Sequence, residues 1–66
     1  MQLTINGERR TCTEPATVAD LVDDVAGRQR GIAVAVNGDV VPRSDWPRCA
    51  LADGDAVEIL TAVQGG

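Results

Sequence analysis

Apolar and polar positions alternate at the start of the chain, in Leu3-Thr4-Ile5, and the alternation breaks at Asn6-Gly7. A two-residue hairpin turn needs φ > 0 at both central positions, and Asn followed by Gly is the pair that supplies it most readily. Residues 8–13 therefore return as a second strand, closed by Pro15. The hydrophobic period then changes from two to that of a helix. Thr17 with Asp20 three positions later is a capping-box variant that opens it. Val18, Leu21, Val22 and Val25 fall at i, i+3, i+4 and i+7, one apolar stripe, while Asp20, Asp23 and Asp24 point to water. Gly27 is placed to be the C-cap.

A polar link through Arg28, Gln29, Arg30 and Gly31 leads to Ile32, Val34 and Val36, which alternate with Ala33 and Ala35 as a buried strand. Asn37-Gly38 turns the chain again, Val40-Val41 forms a short strand ended by Pro42, and Asp45-Trp46-Pro47 begins an irregular stretch. Trp46, the only aromatic residue, reads as a core plug or as a lid over the core edge. After Leu51, the turn Ala52-Asp53-Gly54-Asp55 delivers the chain into a last strand, Val57-Glu58-Ile59-Leu60.

The order is thus hairpin, helix, strand, turn, strand, loop, strand. One helix of this length covers a single sheet face, so the class is α+β, with a mixed sheet of four to five strands and one helix packed across it. A right-handed crossover places the last strand parallel to the first at the sheet centre. That arrangement is the ubiquitin-like β-grasp. The expected core is Leu3, Ile5, Val18, Leu21, Val22, Val25, Ile32, Val34, Val36, Val41, Leu51, Val57 and Ile59. Residues 1–60 are read as the β-grasp domain and 61–66 as a flexible tail ending in diglycine.

Composition narrows what such a domain does. At 66 residues there is room for one core and no deep cleft. Cys12 and Cys49 form no CxxC pair and no signal-like leader follows Met1, so free thiols and a cytoplasmic location are expected. Every apolar stretch is interrupted well short of a membrane span. The net charge of -4, with no basic run, disfavours nucleic acid and favours a protein partner with a basic face. The chain contains no His, Lys, Tyr or Phe and so lacks the usual general base near neutral pH and any Schiff-base amine. The expectation is a protein that is not an enzyme and binds no cofactor of its own. Without lysine it also cannot accept a second copy through an isopeptide bond. Asp39, Asp53 and Asp55 are spaced loosely like cation ligands, but turns collect Asp for its bonds to nearby amides, and no metal is assigned to them.

What remains is Gly65-Gly66. Glycine has no Cβ, so a terminal diglycine carboxylate enters a narrow slot without steric hindrance. Such a carboxyl is ionised at neutral pH and needs no base from the chain to act as a nucleophile. The six residues 61–66, fully extended, reach at most about 20 Å, enough to cross a partner's surface into a buried site.

Taken together, Gln2-Leu3-Thr4-Ile5-Asn6-Gly7-Glu8, Val34-Ala35-Val36-Asn37-Gly38-Asp39-Val40-Val41-Pro42-Arg43, Asp53-Gly54-Asp55-Ala56-Val57-Glu58-Ile59 and the terminal Gly65-Gly66 resemble the ThiS family, the sulfur carriers of thiamine biosynthesis. Gln64 stands where many relatives carry a third glycine or another small residue. The resemblance implies a cycle run by other proteins. An adenylating, E1-like enzyme that binds ATP and Mg²⁺ activates the Gly66 carboxylate. Sulfur from a cysteine persulfide, supplied by a desulfurase, then gives a thiocarboxylate, and thiazole synthase takes that sulfur into the thiazole ring. Gly66 is then the covalent site, and Gly65, Gln64, Val63 and Ala62 thread the partners' active sites. The same tail chemistry also suits a diglycine carrier for molybdopterin or amino-acid synthesis, or a ubiquitin-like modifier conjugated through Gly66. A further alternative is a plain interaction module with an incidental tail.

Overall fold

Both Asn-Gly pairs adopt the positive φ that the turns require, 51° at Asn6 and Asn37, 84° at Gly7 and 87° at Gly38. The computed structural model describes residues 1–13, 16–27 and 31–61. Pro15 and the link residues Arg28, Gln29 and Arg30 lie outside these. The first turn joins β1 (Gln2–Ile5) to β2 (Glu8–Thr11), which pair antiparallel with Ile5 opposite Glu8. The second joins β3 (Ile32–Val36) to β4 (Asp39–Val40). The last strand, β5 (Ala56–Thr61), lies between the two hairpins, antiparallel to β3 and parallel to β1, in the order β2-β1-β5-β3-β4. This is the β-grasp expected from the order of elements, with first and last strands adjacent at the sheet centre.

Helix α1 (Val18–Ala26) starts and stops where its local chemistry dictates. The Thr17 hydroxyl accepts from the Asp20 amide at 3.2 Å, and the Asp20 carboxylate accepts from the Thr17 amide at 3.0 Å, so two otherwise orphaned donors are satisfied reciprocally. At the other end Gly27, with φ 63°, donates to the carbonyls of Val22 and Asp23. Cross-links to the chain after residue 48 fix the helix start in space. Val18 N–H donates to the Cys49 carbonyl, and Leu51 N–H to that of Ala16, both at 2.9 Å.

The helix buries Val18, Leu21 and Val22 against the inward side chains Leu3, Ile5, Val34, Val57 and Ile59. Each such burial contributes about 1.5–3 kcal/mol. Val25 departs from the expected core: it is 37% exposed, while Ala26 packs partly buried against the cluster. The inward face of the helix is therefore 18, 21, 22 and 26, with Val25 to its side. Ile32, Val36 and Val41 are half-buried at the sheet margin. The stretch after Pro42 is regular: a 3₁₀ helix, Arg43–Arg48, that begins with Asp45 N–H donating to the Pro42 carbonyl. It delivers Trp46 into the core, 8% exposed, with the indole N–H donating to the Val41 carbonyl at 3.0 Å.

Candidate functional site

The strand that leads to the tail is the most enclosed strand of the sheet. β3 pairs with it along its whole length, from Val36 opposite Val57 to Ile32 opposite Thr61. Thr61, expected to begin the tail, is thus still within the sheet. The residues expected to do chemistry or to thread a partner, Ala62, Val63, Gln64, Gly65 and Gly66, lie outside the described residues.

The two sheet faces differ sharply. α1 and the 3₁₀ helix cover the inner face. On the outer face the register aligns Leu60 with Ala33, and Ala35 with both Glu58 and Val40. Leu60 is 67% exposed and Val40 76%. With the two alanines between them they form an apolar strip across β5, β3 and β4, flanked by the Glu58 carboxylate, and its Leu60 end lies one residue before the end of β5.

The polar groups nearest the ends of β5 hold the strand in place. The Asn6 side-chain oxygen accepts from Ile59 N–H at 2.8 Å, and its amide nitrogen donates to the Ile59 carbonyl at 3.1 Å. At the start of the strand the Asn37 oxygen accepts from Ala56 N–H at 2.9 Å, and its nitrogen donates to the Asp55 carboxylate at 3.0 Å. The sequence shows both asparagines as turn formers and nothing more. Asn-Gly is also the default pair for such a turn, so nothing local marks the second role of either side chain.

Asp53 ties the start of β1 across 51 positions, whereas Asp55 closes its own turn. Asp53 accepts from Gln2 N–H at 2.6 Å, and Asp55 accepts from Ala52 N–H at 2.8 Å. Among the described residues no group of three or more His, Cys, Asp and Glu is arranged to hold a metal. Cys12 and Cys49 are free thiols, each half-buried. Cys12 lines a hollow with Asp20 and Asp24, and its carbonyl accepts from the Met1 ammonium at 3.0 Å. No helix among the described residues is long and apolar enough to cross a membrane.

What the geometry offers, then, is a small domain with a bare apolar strip and a central strand that runs to Thr61. The chain belongs to the ThiS family, whose model matches residues 3–66. Sulfur carrier protein ThiS of Escherichia coli is 33% identical over 66 residues, which cover both chains in full. A protein of Paramagnetospirillum magneticum named thiazole synthase is 38% identical over 66 residues, all of this chain but 20% of that one. The crystal structure of the thiamine biosynthesis protein ThiS from Geobacter metallireducens matches with a TM-score of 0.83 at 35% identity, with full coverage of both chains.

Proposed function

We propose that this chain is a cytoplasmic sulfur carrier for thiazole formation in thiamine biosynthesis, a protein cosubstrate whose Gly66 carboxylate is the group acted upon. The observation that carries the reading is the end-to-end match to the Escherichia coli sulfur carrier, which extends through Gly65-Gly66. The match to part of a protein named thiazole synthase supports thiazole formation over molybdopterin or amino-acid synthesis.

The chemistry asks little of the chain itself. An E1-like activating enzyme holds ATP and Mg²⁺. A Gly66 carboxylate oxygen attacks the α-phosphorus, pyrophosphate leaves, and an acyl-adenylate forms. The terminal sulfur of a cysteine persulfide, itself charged by a cysteine desulfurase, attacks the acyl carbon and expels AMP. A thiol then cleaves the sulfur–sulfur bond, and a thiocarboxylate and a disulfide remain. Thiazole synthase receives the thiocarboxylate and incorporates its sulfur.

In this scheme the β-grasp domain supplies placement. Residues 62–66 carry Gly66 into an active site while Leu60, close to the start of that reach, and Val40, two strands away on the same face, contact the activating enzyme. Gly65 leaves clearance that a β-branched residue would fill, and Gln64, Val63 and Ala62 thread the partner's active site. The chain's lack of His and Lys is no handicap, because a carboxylate nucleophile needs no general base.

Intact mass after incubation with an activating enzyme, ATP, Mg²⁺ and a sulfur source tests the reading. The expected gain equals the replacement of one oxygen by sulfur, mapped to Gly66, and a Cys12→Ser, Cys49→Ser double variant gains the same. An unchanged mass with an enzyme active on its own carrier overturns the proposal, and a gain of a whole protein mass points to a modifier.

A further inference from the structure

β1 ends before β5 does. The parallel ladder between them consists of Thr4 beside Ala56 and Ile5 beside Val57, and then the chain turns away at Asn6-Gly7. Thr4 and Asn6 donate their amides to the carbonyls of Asp55 and Val57, so alternate residues of β5 turn their backbone groups toward β1. Ile59 is next in that series, and no residue of β1 remains to meet it. The carboxamide of Asn6 takes the place of the missing peptide unit: its oxygen accepts from Ile59 N–H and its nitrogen donates to the Ile59 carbonyl. Thr61, the following residue with the same orientation, is the last of β5. Among the described residues the Asn6 side chain is therefore the last hold on the β1 side of β5.

We infer that Asn6 is a positioning residue: it fixes the register and exit direction of the end of β5, and so the line along which residues 62–66 are offered to the activating enzyme. This role rests on the proposed function at Gly66. Only asparagine meets every demand of the site. The φ of 51° suits Gly, Asn or Asp. Glycine lacks the carboxamide, and aspartate would turn a second oxygen toward the Ile59 carbonyl, where a donor is needed. Asn37 is a built-in control. It has the same φ, the same following glycine and two side-chain bonds of its own, but it grips the start of β5 instead of its end.

The test compares Asn6→Gly, Asn6→Asp and Asn37→Gly in the full chain. Asn6→Asp keeps the turn and the acceptor, so it serves if Asn6→Gly fails to fold. Amide hydrogen exchange comes first: Asn6→Gly should accelerate exchange at Ile59 by about tenfold relative to the core amide of Val34, and Asn37→Gly should do the same at Ala56 only. Activation kinetics come second. Asn6→Gly should raise KM for the carrier severalfold, with Asn6→Asp between it and wild type, whereas Asn37→Gly should stay within about twofold of wild type at a comparable loss of melting temperature. Unchanged exchange at Ile59 overturns the inference, as does a KM equal in Asn6→Gly and Asn37→Gly. A wild-type chain that no activating enzyme adenylates overturns the carrier reading and the positioning role together. A wild-type chain adenylated no better than Asn6→Gly overturns the positioning role alone.

Discussion

Single residues decide where the elements of this fold begin and end. Thr17 is the clearest case, because its side chain and that of Asp20 satisfy one another's backbone amides. Replacement by alanine removes an acceptor that nothing else supplies. Thr17→Ala should cost about 1 kcal/mol, a fall of roughly 5 °C in melting temperature for a chain of this size. Thermal denaturation followed by circular dichroism measures it, and an unchanged midpoint would mean that the cap contributes nothing. Such features are legible in the sequence because donor and acceptor lie three residues apart. Asn6 shows the opposite limit: its partner is 53 positions away, and no local pattern announces it.

At the scale of elements, strands and turns follow the side-chain pattern, since the inward residues of β1, β3 and β5 are large apolar ones and, Leu60 apart, the outward ones are small or polar. The helix shows where pattern reading stops. A stripe at 18, 21, 22 and 25 defines an apolar face, but the sheet beneath decides how far along that face burial extends. Val22 is 5% exposed against 37% for Val25. Val22→Ala should therefore cost about 2 kcal/mol and Val25→Ala about 0.5 kcal/mol or less, a contrast that paired urea titrations resolve. Equal costs would place Val25 in the core after all. The 3₁₀ helix was hidden for a different reason. Its sequence, with prolines at either end and a tryptophan between, has no helical period, and burial of Trp46 under the Val41 carbonyl gives the segment its shape.

At the scale of the whole molecule, chemistry and recognition separate. The proposed reactive group belongs to Gly66, at the end of the sequence, while the strip of Leu60, Ala33, Ala35 and Val40 lies on the sheet. Leu60→Asp should leave the melting temperature within about 2 °C, because the side chain faces solvent, and should lower kcat/KM for activation by about tenfold or more if the strip is an interface core. Unchanged kinetics would place docking elsewhere. The fold and the diglycine could both be read from sequence, whereas the strip could not. Val40 and Leu60 share a face only through the register of three strands.

The parallel placement of β1 beside β5 also has a mechanical meaning. Traction applied between the start of the chain and the end of β5 runs along the strands, so it loads their mutual hydrogen bonds in shear, all at once, and cannot peel them one by one. Among the described residues the Asn6 carboxamide on Ile59 is the member of that set nearest the pulled end. An enzyme that tugs the tail into its active site would draw against that catch and the β1–β5 ladder together.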